Sequence, residues 1–326
     1  MNKKVLFFVL PAVLIAACFI PVTQQKSVLI KSPFLSTYSF LANPVKWGHW
    51  VPELRKTMDA DSSKIQVQKG NNSFTIKGEN AEFAVKDQGT FFDITEKTNN
   101  RSSNYIYSLV PVDDKFLNKT IVSVTQKLNP LSYVIGEIWP SFNSDNHLAD
   151  LKAFMETDSL LYGFNIVKTG VPDSKLVAIR KTVLQKNKFA EAAKMLATLN
   201  QYIKAKSVKQ MYPVIAQFFP RGTDSTQVNV GLFIDREVPS TNEILFSRMP
   251  QGGPLVSARY KGEFSKKGEA YEALRQYFSD HVYQLAILPF DTYLDNKLPL
   301  NDHDIVNIQI NFPTFPIDNP KQNEPK

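Results

Sequence analysis

The second half of the chain carries one pattern written twice. Leu176-Val177-Ala178-Ile179-Arg180 returns as Leu255-Val256-Ser257-Ala258-Arg259, and Val228-Asn229-Val230-Gly231-Leu232-Phe233 returns as Val306-Asn307-Ile308-Gln309-Ile310-Asn311. The two marks stand 52 residues apart in the first copy (176 to 228) and 51 in the second (255 to 306). Each copy opens on an L-V-x-x-R strand and closes on a V-N-aliphatic strand, with an amphipathic stretch between. A unit of that size is too small to bury a core alone, so the pair is expected to pack as one pseudo-symmetric domain. The seam between such halves is a natural position for a pocket.

Periodicity fills in the elements. In copy one, Ala193, Leu196, Leu199 and Ile203 recur at helical spacing and predict a helix from about Ala190 to Ala205. Strands at Tyr212–Phe219 and Gln227–Ile234 follow it. In copy two, Tyr271, Leu274, Tyr277 and Phe278 mark a helix within Ser265–Val282, followed by strands at Pro289–Leu294 and Ile305–Phe312. Each copy is therefore β-α-β-β. Two such units side by side predict an antiparallel sheet with two helices on one face and a groove on the other.

Arg259-Tyr260-Lys261-Gly262-Glu263-Phe264, the helix after it and Pro289-Phe290-Asp291-Thr292-Tyr293 resemble the GyrI-like small-molecule-binding family. That family is also called the bacterial transcription activator effector-binding domain. The resemblance covers residues 160–318, and it implies an aromatic cleft between the repeats that accepts apolar, often cationic, molecules. Some members hydrolyse cyclopropane-containing compounds with a Glu–Tyr pair. Carried over by position, Gly262 and Phe264 match a "G-x-y" turn, Asp291 stands where the family has Glu, and Tyr293 matches its tyrosine. Gln309, four residues before Pro313, stands where a buried glutamate is expected. A carboxylate there could act as a base or attract a cation, whereas a glutamine stays neutral. The expected ligand-binding set in this half is Tyr293, Gln309, Asp291, Phe264 and Tyr260, with Tyr293 and Gln309 forming the floor of the seam. Helix–sheet packing is the competing role for Tyr260, Tyr271 and Tyr277, and a core position at a strand end is the competing role for Tyr293.

The first half reads differently. A strand at Ser27–Ile30, a short helix from Pro33 to Ala42 and an Asn43-Pro44 break lead to Trp47 and Trp50. Five β-like runs between Phe74 and Leu128 follow, separated by Asn- and Gly-rich turns. At Leu41-Ala42-Asn43-Pro44-x-Lys46-Trp47-x-x-Trp50 the sequence resembles the START-like, or polyketide-cyclase-like, superfamily. That implies a helix-grip domain over 26–158 with an internal cavity for an apolar ligand, lined by Trp47 and Trp50. Core aromatics sealing the sheet end are the alternative for both. The closing helix, Asn146–Met155, is short for that family.

Composition narrows the function classes. The 326 residues carry a net charge of +7, but the lysines are dispersed and no basic run interleaves with aromatics, so nucleic acid is not an expected partner. One cysteine, Cys18, excludes an intrachain disulfide and a cysteine metal site, and the four histidines lack ligand spacing, so no metal and no cofactor are expected. Lys3 and Lys4 before an uncharged run from Val5 to Val22 predict a single-pass inner-membrane anchor over residues 1–24, with those lysines inside and the bulk of the chain in the periplasm. The alternative is a lipoprotein modified at Cys18, from Ile15-Ala16-Ala17-Cys18. Residues 319–326 read as a disordered tail. The whole predicts an α+β protein, membrane-tethered in a bacterial envelope, that binds a small apolar molecule without turnover. Two alternatives stand beside it: a hydrolase or cyclase acting through Tyr293 and Asp291, and an envelope interaction module.

Overall fold

The computed structural model describes residues 21–98, 101–112, 119–128, 130, 147–170, 175–249 and 254–315, which divide into two compact units at Thr157/Asp158. The protein is α+β, with one antiparallel sheet in each unit. The expected anchor lies outside the described residues up to position 20, as do Cys18 and the tail. Among the described residues no helix is long and apolar enough to cross a membrane. Val22–Gln24, counted with the anchor in the sequence reading, belong instead to the first strand, where they pair with Leu128–Gln126.

The first unit is built around the tryptophan helix. β1 (Val22–Ile30) leads to α1 (Phe34–Leu41), α2 (Pro44–Trp50) and α3 (Pro52–Ala60). The Asn43 side chain accepts from the Val45 N–H at 3.1 Å and Pro44 occupies the first helical turn, two signals that start a helix. Val51 is extended because Pro52 follows it, which breaks α2 from α3. A meander then runs through β2 (Gln66–Lys69), β3 (Ser73–Lys77), β4 (Ala81–Asp87), β5 (Phe91–Thr98), β6 (Arg101–Pro111) and β7 (Thr120–Leu128), in sheet order β1-β7-β6-β5-β4-β3-β2. Alternation along β4 and β5 turns Phe83, Val85, Phe92 and Ile94 inward. α4 (Leu148–Met155) closes the unit with Leu151, Phe154 and Met155 buried.

The second unit contains both copies. α5 (Asp158–Leu161) and β8 (Ile166–Gly170) precede copy one, which is β9 (Lys175–Leu184), α6 (Lys188–Ala205), β10 (Ile215–Arg221) and β11 (Ser225–Phe233). β12 (Leu245–Arg248) precedes copy two, which is β13 (Pro254–Glu263), α7 (Gly268–Asp280), β14 (Phe290–Tyr293) and β15 (Ile305–Pro313). The sheet order is β12-β9-β11-β10-β14-β15-β13-β8. The duplicated β-α-β-β plan is therefore present, with one addition. Each copy is preceded by a strand that pairs with the other copy: β8 lies along β13, and β12 lies along β9. Phe189, Met195 and Leu199 of α6 share one core with Leu274 and Phe278 of α7 and with Val177, Val230, Val256 and Ile310 from the sheet. Both helices thus cover the same face. A smaller apolar cluster, Leu176, Ile215, Phe233, Met249, Leu255 and Phe290, forms on the opposite face.

At the end of α7 the His281 ring stacks on Tyr277 with centroids 4.0 Å apart, and its Nδ1 lies 2.8 Å from the Tyr277 carbonyl oxygen. Burial holds the His281 pKa below its ordinary value, opposed by the bond to that carbonyl and reinforced by the Lys168 ammonium. The folded state therefore resists a proton that the unfolded chain accepts near about pH 6.5. That contribution to stability is complete above this value and is lost as pH falls through the lower, folded pKa. Urea denaturation between neutral and mildly acid pH should show a smaller acid loss for His281→Phe than for the native chain; parallel profiles would refute this.

Candidate functional site

The open face of the second sheet holds a cleft. Strand alternation sends Val177 and Ile179 into the helix-covered core, so Leu176, Ala178 and Arg180 of β9 face the other way. Ile215 and Gln217 of β10, Asn229 and Gly231 of β11, and Leu245 and Ser247 of β12 share that side. Together they line a cleft of about 590 Å³. Its far wall comes from copy two: Ile287 and Leu288 precede β14, and Phe290 begins it. The Gln217 amide fastens this wall by donating to the carbonyls of Leu288 at 3.2 Å and Pro289 at 2.8 Å. Gln217 in turn accepts from the Asn229 amide at 2.6 Å.

The cleft opens over copy one because two side chains there are small. The ladders pair Gly231 with Ala178 and Ile215, and pair Asn311 with Ser257 and Phe290. Gly231 and Ala178 therefore occupy the places that Asn311 and Ser257 hold in copy two. A Cβ on Gly231 would stand 3.0 Å from Leu176 Cδ1 and 3.2 Å from Ile215 Cγ1, so the bare glycine lets those side chains lie flat as a floor. In copy two the same space is plugged. Ser257 Oγ donates to Asn311 Oδ1 at 2.9 Å, and Asn311 Nδ2 donates to Thr292 Oγ1 at 2.9 Å and to the Phe290 carbonyl at 3.2 Å. Asn311 and Ser257 are buried.

Most residues expected to bind ligand lie on the other face, under α7. Asp291 and Tyr293 are both fully buried. Asp291 forms an ion pair with Lys267 and accepts a 2.6 Å hydrogen bond from the Tyr271 hydroxyl. The Lys267 ammonium also lies 4.2 Å from the Phe264 ring centroid and 5.7 Å from that of Phe218. Burial, and then the facing Asp291 carboxylate, holds the Tyr271 phenol far above its ordinary range. Burial does the same to Tyr293, whose hydroxyl has no hydrogen-bond partner among the described residues. Tyr260 donates to the Glu263 carbonyl at 2.7 Å, and its ring lies so close over Gly262 that a Cβ there would meet the hydroxyl at 2.6 Å. Phe264, Tyr260, Asp291 and Tyr293 are thus gathered around the helix-covered core, with Lys267 occupying the space between ring and carboxylate.

Gln309 does not join them. It pairs with Thr292 while Tyr293 pairs with Ile308, one rung away, so the two side chains leave opposite faces of the sheet. This corrects the expectation that they form one floor. Gln309 is half-buried and donates to Asn311 Oδ1 at 2.9 Å, as part of the plug in copy two. The residues that do form the open cleft were carried by weaker signals: Arg180 ends a repeated motif, and Gly231 interrupts an aliphatic strand.

In the first unit, Trp47 and Trp50 are fully buried. Trp47 Nε1 donates to the Leu41 carbonyl at 2.9 Å, and its ring packs on Trp50, Phe74 and Phe83 at centroid distances of 5.1, 5.9 and 5.7 Å. These contacts are those of core aromatics. Nearby, His147 Nε2 lies 3.5 Å from Glu96 Oε1 and 3.9 Å from Glu53 Oε2, and its Nδ1 lies 3.7 Å from Asp150 Oδ2. Tyr105 donates to Glu96 at 3.0 Å, and burial first, then Tyr107 and Glu96, raises its phenol well above the usual value. No cluster of side chains with metal-holding geometry occurs among the described residues. The signal for Glu96 was its inward place in the alternation Phe92-x-Ile94-x-Glu96.

No family model and no curated protein matches this chain. Among solved structures, it is similar to the EcmrR C-terminal domain at 18% identity, over 47% of this chain and 99% of that one, with a TM-score of 0.38. A structure of an EcmrR–DNA complex aligns at 15% identity over 58% of this chain and 78% of that one, with a TM-score of 0.39. A hydrolase from Listeria innocua aligns at 11% identity over 46% and 91%, with a TM-score of 0.35.

Two substitutions test the packing. Asn311→Ala leaves the Ser257 hydroxyl and the Gln309 amide without their shared acceptor and should cost about 1–3 kcal/mol in urea denaturation. Lys267→Met leaves the Asp291 carboxylate buried without its cation and should cost about 3–5 kcal/mol. Most of that loss should return in the Lys267→Met/Asp291→Asn double variant. A single variant as stable as the native chain would contradict the assigned pair.

Proposed function

We propose that the second unit binds a small, largely apolar molecule in the cleft over copy one, without chemical turnover. The observation that carries this reading is the cleft itself, whose volume falls within the roughly 300–1,000 Å³ range of small-molecule sites. Its lining is largely apolar, with Arg180, Gln217, Asn229, Ser247 and Arg248 as the polar members, an arrangement suited to an apolar body held in one orientation. The hydrolase reading needs Tyr293 and Asp291 at a solvent-reachable site. Both are sealed beneath α7 on the opposite face, and Asp291 is engaged by Lys267 and Tyr271. The chain is further proposed to be tethered to the envelope membrane through its first residues, on the strength of Lys3, Lys4 and the uncharged run after them.

Binding is measured on the full chain with the neutral fluorescent probe N-phenyl-1-naphthylamine. A saturable, single-site fluorescence gain is expected for the native protein. Gly231→Leu and Ala178→Phe each fill the floor from a different strand and should abolish that component while a cooperative thermal transition is retained. Probe partitioning into the membrane segment is common to all three proteins and cancels in the comparison. An equal saturable signal in the native and both filled variants would overturn the reading.

A further inference from the structure

We infer that the molecule held in this cleft carries a single anionic head, a carboxylate on an apolar body, and that Arg180 receives it. The inference rests on the small-molecule reading of the cleft and adds the chemistry of its ligand. Two residues lining the cleft are charged, Arg180 and Arg248, and no carboxylate is among them. Arg248 is already engaged by Glu237 in a salt bridge. Arg180 has no ion pair or hydrogen bond among the described residues. It stands on the same side of β9 as Leu176 and Ala178, at the rung shared with Asn229 of β11. The neighbouring amides are occupied with one another: Asn229 donates to Gln217 and accepts from Gln227 at 3.2 Å. Among the described residues the guanidinium is therefore the charged group of the lining left to meet a ligand.

Physical chemistry selects the partner. A guanidinium presents a planar fork of donors that matches a carboxylate with two parallel hydrogen bonds. Beside aliphatic walls that displace water, that pairing is stronger than at an open surface. A cationic ligand would meet the Arg180 guanidinium and no carboxylate in the lining, so the site discriminates against it. The duplication also supplies an internal control. Arg259 ends the same L-V-x-x-R motif in copy two, is likewise exposed, and pairs with Gln309 as Arg180 pairs with Asn229. Beside it, however, the floor is closed by Asn311 and Ser257. The same charge thus lies next to an open cleft in one copy and a plugged one in the other.

The test is displacement of N-phenyl-1-naphthylamine from the full chain by decanoate, 1-decanol and decyltrimethylammonium. Decanoate should displace the probe at least about tenfold more effectively than decanol, with decyltrimethylammonium the weakest. Arg180→Gln should bring decanoate to the level of decanol, both read against the probe affinity of that same variant, and Arg259→Gln should preserve the native preference. If the probe binds but decanoate and decanol compete equally, the anionic assignment fails and the small-molecule reading stands. An equal loss in Arg180→Gln and Arg259→Gln marks a general effect of surface charge and also overturns the assignment. Failure of the probe itself to bind removes the small-molecule reading, and this inference with it.

Discussion

Two rungs of one ladder hold the copies of the second unit together as a single sheet: Ile215 with Thr292, and Ala216 with Asp291. β14 is only four residues long, and two of them make the joint. The helix-covered side of that joint contains a carboxylate, Asp291, which burial alone would destabilise. Lys267 and Tyr271 supply the charge and hydrogen bond that make it tolerable, and both come from the start of α7. One buried ion pair thus ties the start of α7 to the seam and to the aromatic rings around Lys267. Such a pair adds little net stability over an apolar alternative, but it admits few geometries. The common core beneath α6 and α7 forms around that arrangement.

What could be read from the amino acids followed the range of the interactions involved. α6 was visible because its apolar positions recur within one element, and the Asn43-Pro44 start of α2 because its signal is local. The β-α-β-β repeat and the placement of both helices on one face followed from the same kind of evidence. The register did not. Aligning the two V-N motifs sets Gly231 against Gln309, whereas the ladders set it against Asn311, two residues further on. A shift of two preserves the face of every side chain, so no hydrophobic pattern could reveal it. The pairing of β8 and β12 with the distant copy was equally hidden, since both strands are short and their partners lie far along the chain. Tyr293 and Gln309 were joined through a family pattern read as linear spacing, and only pairing shows that they leave opposite faces.

Between the two copies, similar backbone supports different interiors. Copy two fills its open face with a hydrogen-bonded cluster of Ser257, Asn311, Thr292 and Gln309. Copy one leaves the same place to Ala178 and Gly231 and is covered only at its edges. A polar plug of this kind is rigid when every member finds a partner, and it braces the sheet next to the vacant half. On the helix side the charged group is enclosed instead, since Lys267 settles among aromatic rings beside the buried Asp291 carboxylate.

The crossing of β8 and β12 has a consequence for what half of this unit could be. A chain containing only β8, β9, α6, β10 and β11 would lack the β13 edge that its leading strand occupies here. Its sheet would end in unpaired β9 and β10, which invite pairing with another chain. Two such chains would satisfy each other by trading leading strands and aligning their β10 strands about a two-fold axis. The present unit has the connectivity of that reciprocal exchange within one polypeptide, the arrangement of a domain swap with its two halves joined. Covalent joining removes the need for the halves to remain identical, and only then can one hold a plug while the other holds a cleft.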